Sequence, residues 1–410
     1  MLSMPGLMEM PLQSVVSPAD AGEDRILSML HNVRVSLGMD IAFISEFVGD
    51  LKYFRYVDCA VAEPPIRPGD VVSVSNGYCQ QVVLGQLPQM IADTGLVAAA
   101  LAIPETAIIP IGSHMSVPLC LSDGSVYGTF CCFSHLPDPT LNARELRMMQ
   151  AIANLVAREI EARSRDVRER LERSDAILAL IEAGQPSMVY QPIFRMEDGA
   201  FVGAEALARF AAEPVRAPDA WFREADQCGL RRQLECAAIR NAIHGYQPLW
   251  KDNPDASLAV NVSASTILAG GLDDVLSGAP EDRLVLELTE HDHVEDYDRL
   301  ATVLQPLRAR GVRVAVDDAG SGYASLRHVV RLNPDVIKLD ISLTKDIDRD
   351  PTRMALAAAV VAFARQTGSL VVAEGIETDS EHRALIALGI TLGQGYLLGR
   401  PGPADRLPRH

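Results

Sequence analysis

The second half of the chain alternates short apolar segments with segments of helical spacing, and this alternation constrains its fold most strongly. The apolar segments past Gly184 are residues 258–262, 284–288, 312–316, 336–339, 370–373 and 391–397. The helical segments between them are residues 297–310, 325–332, 351–368 and 379–389. Strand–helix alternation over about 220 residues predicts a parallel sheet, and at this length a closed (β/α)₈ barrel.

Two further strand-like segments, 188–195 and 201–208, precede this repeat and are joined by Glu197-Asp198-Gly199. An Asp-Gly pair between two strands is a hairpin signal, because glycine readily adopts the positive φ of a tight turn. The first two strands are therefore expected to run antiparallel. The barrel should depart from the all-parallel form where it begins.

Polar side chains stand at the C-terminal end of nearly every predicted strand, which is where barrels of this kind place their active sites. They are Glu205, Asn261, Glu287, Asp317, Asp318, Lys338, Glu374 and Gln394. Mg²⁺ and Mn²⁺ prefer carboxylate and amide oxygens as ligands. So many carboxylates would repel one another without cations, and Lys338 is the only cation among these strand-end groups. The pattern therefore predicts bound divalent ions.

A single acidic residue after a strand has a simpler explanation, because such residues often cap the next helix. The complete set, in order on successive strands, is not explained in that way. Two divalent ions held close together acidify a water molecule and stabilise the oxygens of an in-line phosphoryl displacement. The strand-end set is thus typical of a site for metal-assisted phosphoryl displacement.

Residues from about 175 to 402 resemble the EAL-domain phosphodiesterases that are specific for cyclic di-GMP. The motifs that carry the resemblance are Tyr190-Gln191-Pro192-Ile193, Gly203-Ala204-Glu205-Ala206-Leu207-Ala208-Arg209, Asn261-Val262-Ser263, Glu287-Leu288-Thr289-Glu290, Asp317-Asp318, Lys338-Leu339-Asp340, Ala373-Glu374-Gly375-Ile376-Glu377 and Gln394-Gly395-Tyr396. The resemblance implies a modified (β/α)₈ TIM-like barrel at 175–405. It also implies hydrolysis of cyclic di-GMP to linear pGpG with two Mg²⁺ or Mn²⁺ ions per active site.

The same resemblance implies a role for each residue. The residues expected to bind metal are Glu205, Asn261, Glu287 and Asp317 for one ion, and Asp318 and Glu374 for the second ion and the attacking water. The expected catalytic residues are Glu374, Lys338, Asp317 and Glu205, with Lys338 positioning the water or offsetting charge. The residues expected to hold the dinucleotide are Gln191, Leu207, Arg209, Asp340 and Gln394. Glu290 is expected to anchor the loop after Asp318.

The chain departs from the family's pattern at Ala319, where phenylalanine usually follows the Asp-Asp pair. Loss of the aromatic ring removes a large apolar anchor from a glycine-rich loop. Because every expected metal ligand is present, an active phosphodiesterase is favoured. The alternative is a catalytically weak or silent EAL domain that acts as a receptor for cyclic di-GMP.

The first half of the chain has strand-like runs at 41–48, 71–74, 115–121 and 127–134 between two helical stretches. After a tail at 1–21, residues 22–160 resemble GAF sensory domains. The motifs are Leu37-Gly38-Met39-Asp40-Ile41-Ala42-Phe43, Tyr78-Cys79, Val117-Pro118-Leu119 and Asp123-Gly124-Ser125-Val126-Tyr127-Gly128-Thr129. The resemblance implies an α+β domain that regulates the phosphodiesterase through an unidentified small molecule or signal.

Cys79, Cys131 and Cys132 are candidate redox sensors or chromophore attachment points, and His114 is a candidate haem ligand. Small thiols in strands are more often core residues, and a lone histidine is more often exposed or hydrogen-bonded, so these simpler roles are favoured. The seven cysteines show no CxxC spacing. Neither a disulfide framework nor a zinc site is predicted.

A helix without a breaker is predicted at 142–183, connecting the two domains. Its apolar residues recur at steps of about three and four: Met149, Ile152, Val156, Ile160, Val167, Leu171, Leu178 and Ile181. This stripe favours a parallel coiled coil over a lone solvent-bridging helix. A homodimer through the connecting helix and the EAL domain is therefore expected.

The net charge of −17 argues against a polymeric nucleic acid as partner, which would require a basic surface. A small anionic ligand stays compatible, since bound ions supply positive charge locally. Residues 1–18 lack the basic segment of a secretory signal, and apolar runs such as 355–364 are about half the length of a membrane span. A cytoplasmic protein is expected.

Overall fold

The computed structural model describes residues 21–408 except 62, 76, 289–293, 295 and 320–322. It describes the side chains of the same residues apart from 21, 318, 319 and 323–326. The chain divides between Glu169 and Arg170 into two compact units.

The first unit contains an antiparallel sheet whose described strands follow the order β3-β2-β1-β6-β5-β4. These strands are β1 (Ile41–Val48), β2 (Leu51–Cys59), β3 (Val71–Ser73), β4 (Met90–Ile91), β5 (Ser113–Cys120) and β6 (Val126–Ser134). The helices are α1 (Ala21–Ser36), α2 (Tyr78–Val83), α3 (Ala98–Leu101), α4 (Pro104–Ile108) and, as far as Glu169, the long α5 (Ala143–Glu182). Mixed helices and strands of this kind confirm the predicted α+β architecture.

The two faces of this sheet belong to two separate apolar cores. Helices α1 and α5 cover one face, where Leu30 and Met149 pack with Cys132. The opposite face packs on α2 and its neighbours, where Cys79 meets Cys131. Because side chains alternate along a strand, the adjacent Cys131 and Cys132 enter different cores.

Strand β2 was not expected from the sequence. The side chain of Lys52 on this strand points into the core and is only 2% exposed. A buried lysine makes the inward face look polar, so the alternation that signals a half-buried strand is lost.

The second unit contains a closed barrel with the strand order β10-β11-β12-β13-β14-β7-β8-β9. The strands are β7 (Ser187–Arg195), β8 (Phe201–Arg209), β9 (Ser257–Asn261), β10 (Leu284–Leu288), β11 (Arg313–Ala319), β12 (Val336–Leu339), β13 (Leu370–Ala373) and β14 (Leu392–Gly393). The helices are α6 (Pro218–Gln227), α7 (Arg231–Asp252), α8 (Ala264–Ala269), α9 (Leu272–Leu276), α10 (Tyr297–Ala309), α11 (Tyr323–Leu332), α12 (Ile341–Thr344), α13 (Pro351–Thr367) and α14 (Asp379–Ala387). The predicted modified (β/α)₈ barrel is confirmed.

Strand β7 runs antiparallel to both of its neighbours, β8 and β14, whereas the other described neighbours in the barrel are parallel. The hairpin predicted around Glu197-Asp198-Gly199 therefore forms, with Gly199 at φ 70°. Apolar side chains of the parallel strands fill the space between the barrel and its helices, among them Leu286 and Val314.

The strand expected at 391–397 is shorter than predicted, because β14 ends at Gly393. Beyond that residue the backbone bonds to Ile376 instead of a neighbouring strand. The Ile376 N–H donates to the Gln394 carbonyl at 3.1 Å, and the Leu397 N–H donates to the Ile376 carbonyl at 3.0 Å. Gly395 permits this close approach, since a Cβ there would lie 2.1 Å from the Ile376 nitrogen.

The apolar stripe of α5 serves two purposes, only one of which the sequence suggested. Met149, Val156 and Ile160 are buried in the core of the first unit. Val167 and Leu171 are 57% and 59% exposed. The first part of the stripe is therefore used inside its own chain, which corrects the expectation of one continuous interface between copies.

None of the described helices combines the length and the apolar character that a membrane span requires.

Val314→Ala tests how strongly the barrel depends on its packed strands. Val314 is fully buried on β11, so the truncation should lower the free energy of unfolding of the second unit by about 2 kcal/mol. Urea unfolding followed by tryptophan fluorescence measures this unit, because Trp221 and Trp250 are the two tryptophans of the chain and both lie in it. The matched control is Val215→Ala at an 83% exposed position, with an expected change within about 0.5 kcal/mol. Equal losses in the two variants would contradict the assigned core.

Candidate active site at the carboxyl end of the barrel

The predicted strand-end residues lie at the carboxyl end of the barrel, each on the strand that the sequence indicated. The positions are Glu205 on β8, Asn261 at the end of β9, Glu287 on β10, Asp317 on β11, Lys338 on β12, Glu374 directly after β13 and Gln394 directly after β14. Parallel strands in register carry these side chains to the same rim.

The Lys338 ammonium lies at the centre of this group and is 1% exposed. Its Nζ is 3.1 Å from Glu205 Oε2, 3.1 Å from Glu287 Oε2, 3.2 Å from Asp317 Oδ1 and 2.7 Å from Glu374 Oε1. We call these five residues the Lys338 cluster. One cation thus faces four carboxylates that come from four different strands or strand ends.

Charge in the Lys338 cluster is out of balance, since four ionised carboxylates and one ammonium would carry a net charge of −3. Burial raises the pKa of Glu287 well above its ordinary value, against the attraction of Lys338, and the neighbouring carboxylates raise it further. Burial, again opposed by Lys338, raises the pKa of Glu374 to about 8. Burial would lower the pKa of Lys338, but the carboxylates outweigh it and raise that pKa. The cluster therefore keeps its ammonium and holds more acid groups than one ammonium neutralises.

Two amides fix the orientation of the carboxylates. Gln394 Nε2 donates to Glu205 Oε2 at 2.7 Å and to Glu374 Oε1 at 3.0 Å. Asn261 Nδ2 donates to Glu205 Oε1 at 3.4 Å. Burial tends to raise the pKa of Glu205, but Lys338 and these two amides outweigh burial, so that the pKa is lowered. Glu205 is therefore held in its ionised form.

The donor set fits a hard divalent ion. Glu205, Glu287 and Asp317 each offer a carboxylate oxygen, and these oxygens lie within 4.8 Å of one another. Asn261 adds an amide beside Glu205. Mg²⁺ and Mn²⁺ take oxygen ligands of this type, and an excess of buried negative charge favours a cation.

Two expected residues lie outside what the structure describes. The backbone of Asp318 belongs to β11, but its side chain is not among the described ones. Glu290 falls in the segment 289–293, outside the described residues. Asp318 and Glu374 were expected to bind the second ion. Among the described side chains, only that of Glu374 can be placed in the Lys338 cluster.

The other residues expected to hold a dinucleotide surround the cluster without joining it. Gln191 on β7 pairs in register with Glu205, and its Nε2 donates to the Gly399 carbonyl at 3.4 Å. Leu207 follows on β8 and is half-buried. Arg209 ends β8 with an exposed side chain, and its Nη1 donates to the neighbouring Ala208 carbonyl at 2.7 Å.

Asp340 has a local structural role. It is the N-cap of α12, where its Oδ1 accepts from the Ser342 N–H at 2.8 Å. A carboxylate at this position satisfies a free N–H at the start of the helix. Asp340 follows β12 directly, two residues after Lys338, so it also lies at the carboxyl end of that strand.

Two buried glutamates that the sequence did not single out hold the loops of the rim. Glu235 on α7 accepts from the Ser263 N–H at 3.0 Å and from its hydroxyl at 2.7 Å, just after Asn261. Glu381 on α14 accepts from the backbone N–H groups of Glu377 and Thr378 at 3.0 and 2.9 Å, just after Glu374. In the sequence, Glu235 could be noticed only as an acidic residue within an apolar helical segment. That position does not reveal that its partner is Ser263.

The family model of the EAL domain matches residues 169–401, and that of the GAF domain matches residues 20–161. The bifunctional diguanylate cyclase/cyclic di-GMP phosphodiesterase MucR of Pseudomonas aeruginosa is 32% identical over 252 residues, which are 59% of this chain and 35% of that protein. The cyclic di-GMP phosphodiesterase NbdA of the same bacterium is 32% identical over 248 residues, 58% of this chain and 32% of that protein. The chain thus spans about a third of the length of these two relatives.

A crystal structure of an EAL domain protein from Listeria monocytogenes EGD-e has a TM-score of 0.50 and 25% identity to this chain. The similarity covers 57% of this chain and 94% of that one. The EAL match takes in the whole barrel and the rim that carries the Lys338 cluster. The chain therefore belongs to the EAL domain family and carries a GAF domain before its EAL domain.

Proposed function

We propose that this chain hydrolyses one phosphodiester bond of cyclic di-GMP to give linear pGpG. The observation that carries the proposal is the Lys338 cluster, which gathers buried carboxylates at the carboxyl rim of an EAL barrel. MucR and NbdA, the relatives described above, are named as cyclic di-GMP phosphodiesterases and support the choice of substrate.

Two divalent ions, Mg²⁺ or Mn²⁺, are part of the proposal. We assign Glu205, Asn261, Glu287 and Asp317 to one ion and Asp318 with Glu374 to the other. When bound, such ions supply positive charge to the phosphate oxygens and acidify water. The proximity of the Glu205, Glu287 and Asp317 oxygens supports the first assignment.

Glu374 is the proposed acceptor of the proton from the attacking water. Lys338 and Gln394 both bind its Oε1, so within the described residues Oε2 is left for this task. A carboxylate held by two donors at one oxygen can take up a proton at the other, as a general base requires. Lys338 acts by fixing the Glu374 carboxylate and by offsetting the charge around it.

Gln191, Leu207, Arg209, Asp340 and Gln394 are proposed to hold the dinucleotide. The exposed guanidinium of Arg209 suits a phosphate, because its paired N–H groups bind two phosphate oxygens at once. Gln394 already binds two carboxylates of the cluster, so its proposed role joins the substrate site to the acidic centre.

We also propose that the GAF domain regulates this activity and that the chain forms a parallel homodimer along α5. Val167, Leu171 and Leu178 are exposed along this helix, at 57%, 59% and 41%. With Ser174 they follow the alternating four- and three-residue steps of a coiled-coil interface. A second copy of α5 would cover these side chains.

The first prediction from this proposal concerns turnover. The purified full-length protein should convert cyclic di-GMP to pGpG with Mg²⁺ or Mn²⁺, and excess chelator should stop the reaction. Glu205→Gln should reduce turnover by about 100-fold or more, because it removes a charged oxygen ligand while keeping the shape of the side chain. Chromatography of the nucleotide products measures both effects.

Glu197→Gln is the matched control for Glu205→Gln. Glu197 is exposed in the β7–β8 hairpin, at the opposite end of β8 from the cluster, so turnover should stay within about twofold of the wild type. Equal turnover in the Glu205→Gln variant and the wild type would refute the assignment of the site. Binding of cyclic di-GMP without turnover by the wild type would favour the receptor alternative instead.

The second prediction concerns the dimer. The wild type should have the mass of a dimer in multi-angle light scattering, and Val167→Glu with Leu171→Glu should convert it to monomers, since charges on the interface are costly to bury. The double change Leu136→Glu with Val215→Glu, at loop positions that are 75% and 83% exposed, should leave the dimer intact. A monomeric wild type would overturn the proposed interface.

A further inference from the structure

The first unit contains a pair of buried thiols that the proposed phosphodiester chemistry does not use. Cys79 on α2 and Cys131 on β6 are 52 residues apart in sequence, and their Sγ atoms are 3.5 Å apart. They are 2% and 0% exposed. Both are free thiols in this structure.

The geometry of the pair suits a disulfide. A disulfide bond is about 2.05 Å long, so the sulfur atoms need to approach by only about 1.5 Å. Both side chains already belong to the same apolar core. Cys132 follows Cys131 directly but points into the other core, among α1 and α5.

A buried ammonium lies beside Cys79. Lys52 Nζ is 3.9 Å from Cys79 Sγ and 3.2 Å from Glu105 Oε1. The hydrogen bond from Cys131 and, against the effect of burial, the charge of Lys52 lower the pKa of Cys79 to about 6. Burial and the neighbouring Cys79 raise the pKa of Cys131. The lowered pKa of Cys79 and the raised pKa of Cys131 favour a thiolate beside a thiol, which is the combination that thiol oxidation uses.

Cys79 lines a small cavity of about 30 Å³ together with Lys52, Tyr78 and His114. About 10–15 Å³ of this kind of space is enough for one water molecule, so the cavity accepts a molecule of about the size of water. The buried His114 Nδ1 has no hydrogen-bond partner among the described residues. The cavity is therefore lined both by the sulfur of Cys79 and by His114, a polar group that can bind a small polar molecule.

We propose that Cys79 and Cys131 form a dithiol site that hydrogen peroxide oxidises to a disulfide. The Cys79 thiolate attacks one peroxide oxygen, so that an S–O bond forms and the O–O bond breaks, and the departing hydroxide takes up a proton to become water. Cys131 then attacks the sulfenic acid sulfur, the S–S bond forms, and the hydroxyl leaves with the Cys131 proton as a second water. One peroxide is reduced and two thiols are oxidised.

The size of the cavity selects among oxidants. Hydrogen peroxide is close to water in size, whereas glutathione disulfide is many times larger than the space beside Cys79. Lys52 stabilises the attacking thiolate, and Cys131 is placed to trap the sulfenic acid before further oxidation. The site lies in the first unit and does not depend on the proposed phosphodiesterase activity.

The test uses the full-length protein, reduced, freed of reductant and treated with hydrogen peroxide. Free thiols are then alkylated in denaturant, and peptides are identified by mass spectrometry. The expected result is the loss of two of the seven thiols, with a Cys79–Cys131 disulfide peptide, at a peroxide dose that leaves Cys120 reduced. Lys52→Met should slow this oxidation at neutral pH at least about tenfold, because the thiolate loses its neighbouring cation. Glutathione disulfide should react far more slowly than peroxide.

Cys131→Ser and Cys132→Ser are a matched pair of variants at adjacent buried positions. Cys131→Ser should trap a sulfenic acid on Cys79, which dimedone labels when the protein is denatured in its presence, whereas Cys132→Ser should form the Cys79–Cys131 disulfide at the wild-type rate. The proposal is overturned if wild-type Cys79 stays reduced at peroxide doses that oxidise the exposed Cys120, or if the disulfide joins other cysteines. The wild-type measurement decides the question even where a variant fails to fold.

Discussion

The ammonium of Lys338 among four carboxylates is the interaction on which the second unit depends. Two like charges about 4 Å apart repel by about 4 kcal/mol at an effective dielectric constant near 20. A lysine is almost never fully buried unless it is paired, and here each of its partners arrives on a different strand or strand end. The cluster thus forms only when the barrel closes in the correct register. Its remaining negative charge is what makes a divalent cation a favourable ligand.

The positions of Glu374 and Gln394 show how the fold serves this cluster. Both residues follow short strands, and a backbone hydrogen bond to the last residue of the neighbouring strand fixes each of them. The Glu374 N–H donates to the Leu339 carbonyl at 3.0 Å, and the Gln394 N–H donates to the Ala373 carbonyl at 2.8 Å. Glu381 then holds the backbone beyond Glu374. The rim therefore keeps its geometry through hydrogen bonds that surround the charged centre.

Each unit buries one lysine, and the two are compensated differently. Lys338 is surrounded by carboxylates, which favours a cation at that site. Lys52 is paired with Glu105 and lies beside Cys79, so its charge stabilises a thiolate instead. In both places an acidic neighbour offsets the cost of burying an ammonium, and the ammonium in turn favours the ionised form of that neighbour. By our proposals, the same physical arrangement supports metal chemistry in one unit and thiol oxidation in the other.

The sequence predicted the barrel and its rim because both depend on local periodicity. Glu287 and Lys338, for example, sit within apolar runs that could be recognised as strands without their partners. Strand β2 escaped prediction because Lys52 faces inward. The length of β14 was overestimated because the chain beyond Gly393 forms hydrogen bonds with Ile376, which is distant in the sequence. For the same reason the proximity of Cys79 and Cys131, set by tertiary packing, could not be anticipated.

The central claim is that the Lys338 cluster is a centre for divalent cations. Calorimetric titration of Mn²⁺ into the metal-free full-length protein tests it most directly, because binding is measured without substrate or turnover. The account predicts two ions per chain, weakened binding in Glu287→Gln and unchanged binding in Glu197→Gln, which alters the exposed hairpin. A wild type that binds no Mn²⁺, or a Glu287→Gln variant that binds it as tightly as the wild type, would contradict the account.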